Sequence, residues 1–231
     1  MLTGISIVID WTKLTTDPND LAAVNKVQNY LKEIRVVRRQ EYSDWLYREV
    51  EDKTVLDIGA IEHNLEYARS PHWKHRKLIE TASKVVGVDI LEEYAAVLNK
   101  EGFDIRVCDA TSDEYIGERF DVVILGDVIE HVSDTIKLVE FAIRHLNDSG
   151  EVIIKTPNPY YTGCIKKNLR DKPFVNLEHM SWITPTMMLE IARRANCKLT
   201  NYIVDPKKRP WLSKIINPEM LSRYYVYILE K

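Results

Sequence analysis

Apolar positions along the chain follow two periods that alternate. Short runs rich in valine and isoleucine occur at 54–59 (TVLDIG), 84–90 (KVVGVDI), 104–110 (DIRVCDA), 120–127 (FDVVILGD) and 151–157 (EVIIKTP). Runs apolar on consecutive positions predict parallel strands covered on both faces. Two further strands are expected at 198–204 (KLTNYIV) and 223–230 (RYYVYILE), the last closing the chain. Between the runs the spacing turns helical. Ser70-Pro71 has the form of an N-cap and first helical residue, opening a helix with His75, Leu78, Ile79 and Ala82 on one face. Ser133 is expected to cap a helix lined by Ile136, Val139, Ile143 and Leu146. Thr184-Pro185 opens another, and Asn196 follows its end.

Ahead of the first strand, Leu21, Val24, Val27, Leu31, Ile34 and Val37 recur at helical spacing. Residues 1–50 are therefore expected to be a helical extension packed on a core of 51–231. Alternation of strands and helices predicts βαβ units wound on both sides of one sheet. Residues 157–183 show no clear element, and a loop that long in a compact domain is often functional.

Composition narrows the classes. The 231 residues, 45% hydrophobic, suffice for one sizeable α/β core. With 32 basic and 35 acidic residues the net charge is −3, which calls for neither nucleic acid nor an anionic membrane as partner. Three dispersed cysteines, Cys108, Cys164 and Cys197, point to a reduced, cytoplasmic compartment and away from a disulfide framework. No apolar run approaches the roughly 20 residues that span a bilayer, and the start, MLTGISIVIDW, lacks the basic region of a signal peptide.

In an open doubly wound sheet, ligands bind beyond the carboxyl ends of the strands. Four consecutive strands here end in an acid: Asp57, Asp89, Asp109 and Asp127. Carboxylates crowded on one rim repel unless they hold donors or a cation. An acid ending the second strand suits both ribose hydroxyls of a nucleoside (Asp89), and one ending the third suits an adenine amino group (Asp109). Asp57 is placed to hold a cationic amino-acid head, and Gly59 lets backbone approach a ligand closely. A phosphate site would need several free N–H groups after the first strand. The segment Gly59-Ala60-Ile61-Glu62 offers an acid instead. These features point to a nucleoside without phosphates that carries a cation, namely S-adenosyl-L-methionine. A nicotinamide oxidoreductase would need a G-x-G-x-x-G turn that this sequence lacks.

LDIGA, VVGVDI, CDA and FDVVILGDVIEHV resemble the successive motifs of class I S-adenosylmethionine-dependent methyltransferases. EVIIKTPNP and LEHMSWITPTMMLEIARRANCKL are similar to the later segments of their ubiquinone-biosynthesis-like O-methyltransferase branch. The resemblance implies a Rossmann-like, seven-stranded sheet with its last strand antiparallel. It also implies a co-substrate site at Asp57, Gly59, Ala60, Asp89, Ile90, Asp109, Ala110, Gly126 and Asp127. Two departures stand out. The second glycine of the first motif is replaced, and Asp57 and Asp89 lie 32 positions apart against about 20 in a dinucleotide-binding unit. The extra residues, about 62–70, hold His63, Asn64, Glu66 and Tyr67.

A hydroxyl acceptor must lose its proton during transfer. His131 is the candidate base, with Glu130 nearby, because an imidazole titrates near neutrality. Asp127, Glu130, His131 and His179 also resemble the metal-ligand set of small-RNA 2′-O-methyltransferases. A divalent metal there is the alternative to metal-free catalysis. His75, on an apolar face, reads as a buried, bonded histidine, and His63 and His72 as loop and helix-start residues. The long loop interleaves Tyr160, Tyr161, Phe174 and Trp182 with Lys166, Lys167, Arg170 and Lys172, and a separate basic run is Lys207-Lys208-Arg209. The expected activity is O-methylation of a small-molecule or sugar-like acceptor. A metal-assisted RNA 2′-O-methyltransferase and a non-catalytic S-adenosylmethionine-binding module are the alternatives. The N-terminal helix offers a homodimer surface.

Overall fold

A computed structural model describes residues 8–172, 176–206 and 215–231. Phe174 and the run Lys207-Lys208-Arg209 lie outside them. Among the described residues, eight strands form one sheet: β1 (Arg35–Val37), β2 (Thr54–Ile58), β3 (Lys84–Asp89), β4 (Ile105–Val107), β5 (Phe120–Gly126), β6 (Leu146–Pro157), β7 (Lys198–Val204) and β8 (Tyr224–Glu230). Their order is β1-β7-β8-β6-β5-β2-β3-β4. β8 runs antiparallel to β6 and β7, and the other neighbours are parallel. The sheet is thus doubly wound with an antiparallel last strand, as expected. The eighth strand is an addition: β1 lies within the N-terminal segment expected to be helical, and pairs Arg35–Val37 with Tyr202–Val204.

The helices are α1 (Leu21–Glu33), α2 (Tyr42–Glu49), α3 (Leu65–Ala68), α4 (Lys74–Ile79), α5 (Glu92–Lys100), α6 (Thr135–Arg144), α7 (Thr162–Asn168) and α8 (Pro185–Arg194). Successive strand residues serve opposite faces. Leu56, Ile58, Val123, Leu125, Val152 and Ile154 pack with α1, α6 and α8. Val55, Val122, Ile124 and Ile153 pack with Trp45, Leu46 and Leu78 of α2 and α4. Asp57 has the parity of Val55, so it faces α4.

Several helix starts differ from the sequence pattern. α6 is capped by Asp134, whose Oδ1 accepts the Lys137 N–H at 2.9 Å, and Ser133 stands one residue outside. Its inward face is Leu138, Val139, Phe141 and Ala142, with Ile136 and Ile143 at the flanks. Ser70-Pro71 forms a turn, and α4 starts later, after Trp73. The reason is local anchoring. Trp73 is fully buried, and its indole N–H donates to the Ala60 carbonyl at 2.7 Å. Thr184 does cap α8, with Pro185 in the first turn. Residues 157–183 contain α7, which the pattern did not show. The described cysteines are free, and no described helix is long and apolar enough to cross a membrane.

Candidate active site

The chain leaves β2 toward β3 and leaves β5 toward β6, which lie on opposite sides. The crevice between the carboxyl ends of β2 and β5 is the switch point of the sheet. A cavity of about 920 Å³ opens there. Gly59, Asp89, Ile90, Asp109, Ala110, Gly126, Asp127 and His131 line it, while Asp57, Ala60 and Glu130 do not.

Close packing explains the glycines. A Cβ on Gly59 would lie 2.6 Å from Val128 Cγ2, and Gly59 has φ +70. The turn after it keeps glycine-like geometry without glycine: Glu62 and His63 have φ 53 and 73. Left-handed backbone costs an L-residue about 1–2 kcal/mol, and both strained residues line the cavity. Ala60 is fully buried against the sheet. A Cβ on Gly87 would lie 2.9 Å from the Ala60 Cβ and 3.0 Å from the His75 ring, so Gly87 makes room for both.

Asp57 is fully buried and faces inward. His75 Nδ1–H donates to its Oδ2 at 3.0 Å, and Lys74 Nζ lies 2.8 Å from Oδ1. A carboxylate only accepts, which fixes the Nδ1–H tautomer of His75. Burial opposes ionisation of Asp57, but Lys74 and His75 outweigh it and hold the carboxyl below its ordinary value. Burial also opposes the Lys74 charge, and Asp57 outweighs it, raising the lysine above its ordinary value. Asp57, expected to hold a cationic head directly or through water, is fully buried behind the cavity wall, which Lys74 lines in its place.

Asp89 ends β3 at 8% exposure. Its Oδ2 accepts the Ile61 N–H at 2.9 Å and its Oδ1 accepts the Leu91 N–H at 3.1 Å. Each oxygen accepts about two bonds, so acceptor capacity remains toward the cavity. Asp109 forms a turn: Oδ1 accepts the Thr111 N–H at 2.8 Å and the Thr111 hydroxyl at 2.7 Å. These bonds hold its carboxyl below the ordinary range.

Beyond β5, Asp127 takes φ 57 and pairs with Lys155. His131 lies at the cavity wall with Nδ1 3.8 Å from Glu178 Oε2, and its ring meets His179 edge-on at 4.7 Å between centroids. Glu130 points inward at 1% exposure. The Thr156 hydroxyl donates to its Oε2 at 2.9 Å, and His179 Nε2 lies 3.9 Å from Oε1. Glu130, His131 and His179 offer ligand atoms within 4.8 Å of one another. Asp127, the fourth expected ligand, is drawn to Lys155 and stays outside that group.

Burial pushes the Glu130 carboxyl up to about 7. A raised carboxyl stabilises the fold fully below its unfolded value, and that contribution is lost as pH rises through about 7. Between about pH 5 and about pH 8 the loss approaches about 3 kcal/mol. Denaturant titrations are expected to show this loss in the native protein and not in Glu130→Gln. Parallel pH profiles for the two would refute it.

Of the long loop, Glu178 is the one described residue on the cavity wall. Tyr160, Tyr161, Trp182, Lys166, Lys167, Arg170 and Lys172 do not line it. Of the extra residues at 62–70, His63, Asn64 and Tyr67 are on the wall, together with Tyr42, Tyr47, Lys74 and Lys155, which sequence reasoning missed. The signal for Lys74 was its spacing, one helical turn before Leu78.

The sequence matches the methyltransferase domain family over residues 31–202. It is similar to the ubiquinone biosynthesis O-methyltransferase of Pseudoalteromonas translucida, with 24% identity over 161 residues, 64% of each chain. A protein of the same name from Hydrogenovibrio crunogenus is 21% identical over 162 residues, again 64% of each chain. The match thus spans 64% of the length of these relatives. Among solved structures, an S-adenosylmethionine-dependent methyltransferase from Mesorhizobium loti superposes with TM-score 0.55 at 15% identity, covering 82% of this chain and 98% of that one. The 1,6-didemethyltoxoflavin-N1-methyltransferase of Burkholderia thailandensis, solved with S-adenosylhomocysteine, gives 0.53 at 17% identity, covering 82% and 76%. These likenesses are likenesses of fold.

Proposed function

The chain belongs to the methyltransferase domain family, and from that premise we propose that this S-adenosyl-L-methionine-dependent enzyme methylates an oxygen of a small-molecule or sugar-like acceptor. The observation that carries the reading is one cavity whose wall holds both the acids Asp89 and Asp109, at the tips of β3 and β4, and the imidazole of His131, beyond β5. The residues fit the co-substrate. Asp89 has acceptor capacity for the two ribose hydroxyls, Asp109 offers a carboxylate to the adenine end, and Gly59 and Gly126 leave the cleft floor without Cβ atoms. Its volume of about 920 Å³ suits a nucleoside plus a small acceptor. When bound, the co-substrate supplies a methyl group on a sulfonium, open to in-line displacement. The chain's part is to orient the acceptor and take its proton, which falls to His131. Tyr42, Tyr47 and Tyr67 give ring faces with a polar tip, suited to a flat or sugar-like acceptor. Names of the relatives, O-methyltransferases both, support oxygen as the acceptor atom.

The test is calorimetry with S-adenosylmethionine and NAD⁺, followed by an acceptor panel of phenols, catechols and sugars read by mass spectrometry. Binding of the former alone and an O-methylated product with S-adenosylhomocysteine are expected. A product methylated on nitrogen or carbon would overturn the oxygen assignment.

A second reading has its own observation, the convergence of Glu130, His131 and His179. This set suits a divalent cation that accepts nitrogen and oxygen ligands. In that case His131 serves as ligand and not as base, and chelator treatment would abolish turnover until Mn²⁺ or Mg²⁺ is restored.

A further inference from the structure

The motif acid Asp57 and the lysine beside it carry a consequence for how the co-substrate's amino-acid tail lies. That tail has an ammonium and a carboxylate, and a cleft wall takes whichever its own charge complements. Asp57 has no exposed surface, and both its oxygens face charged or donating groups from α4. Its place as acceptor for an ammonium is already filled, by Lys74 Nζ at 2.8 Å. The ion pair is off the hydrogen-bond line, so Lys74 Nζ and Asp57 Oδ1 are both buried without a well-directed bond. Lys74 nevertheless lines the cavity. Its ammonium reaches the floor between the tips of β2 and β5, where a Cβ on Gly126 would lie 3.0 Å from it. An ammonium carries three donors, and a single neighbour at Asp57 leaves donors for a ligand. Glu62 and Asp127 border the same part of the cavity and act on the Lys74 charge.

We propose that Lys74 is the anchor for the carboxylate of the co-substrate's amino-acid tail, and that the tail's ammonium turns to Glu62 and Asp127. The inference rests on the co-substrate reading above and deepens it. A cation installed on the motif acid reverses the polarity of the tail subsite: the wall presents a positive group where the sequence alone presents a negative one. Lys74 acts as a binding residue, with Asp57 holding it in place and His75 holding Asp57.

The test uses the full chain and two ligands, S-adenosylhomocysteine and its decarboxylated analogue, which keeps the ammonium and lacks the carboxylate. Removing a carboxylate that pairs with a buried ammonium is expected to weaken binding to the native protein by about tenfold or more. Lys74→Met is expected to erase that difference by weakening S-adenosylhomocysteine alone. Because Lys74→Met leaves Asp57 buried without its lysine, the double variant Asp57→Asn/Lys74→Met, which holds neither charge, gives the same reading from a neutral site. The native comparison stands even if neither variant folds. Equal binding of the two ligands to the native protein overturns the inference and leaves the co-substrate reading intact, as does a variant that keeps the preference. Failure of the native protein to bind S-adenosylhomocysteine at all overturns both.

Discussion

Exchanging Asp89 for alanine is expected to weaken S-adenosylhomocysteine binding by about a hundredfold or more, the scale of two hydrogen bonds to a charged acceptor. The carboxylate does two things at once. It ties the turn after β2 to the start of α5 through Ile61 N–H and Leu91 N–H, and it keeps acceptor capacity for a pair of hydroxyls. Alanine removes both. Asp89→Asn separates them: the shape is retained, but the amide's NH₂ must face one of the two backbone N–H groups. Affinity for the asparagine variant should fall between those of the native and alanine proteins. Calorimetry with S-adenosylhomocysteine and with adenosine reads the effect, because adenosine has the same hydroxyls and no tail. If Asp89→Ala binds both ligands within a few-fold of the native protein, the carboxylate does not face the ribose.

His131→Ala is expected to lower kcat by about 10²–10⁴, the usual worth of a positioned base, while S-adenosylhomocysteine affinity changes little. His131 stands on the cavity wall, with no Asp89-like role in shaping the nucleoside end. A loss under about tenfold would remove proton transfer from the list of this residue's tasks and leave alignment of the acceptor as the source of rate.

The apolar strand runs were legible because a strand covered on both faces has no polar parity to confuse it. All seven expected strands formed, though β6 starts five residues ahead of its pattern, at Leu146, which was expected on the preceding helix. β1 was missed for a physical reason: three residues, Arg-Val-Val, have no period of their own, and their partner at 202–204 is remote in sequence. Helix starts were less legible: Asp134 takes the cap of α6 from its neighbour Ser133 by a local bond to the Lys137 N–H, and Trp73 sets the start of α4 beyond Ser70 through a bond to Ala60 made in the tertiary structure. At the site, the acids at the strand ends were visible, but their orientation was not. Asp57 alternates with Leu56 and Ile58 and falls on the α4 face, where a lysine at a helix start reads as a solvated charge until the sheet is present to bury it. The turn at Glu62 and His63 was hidden because neither residue type announces positive φ.

The pairing of β1 with β7 has a temporal side. Residues 35–37 leave the ribosome well before the strand that receives them, around 202–204. Contacts so far apart in sequence close slowly. The segment 21–37 must therefore wait beside a growing chain, its apolar stripe of Val27, Tyr30 and Leu31 uncovered, until the far rim of the sheet is synthesised. Nascent copies at high concentration are then open to misassembly through that stripe.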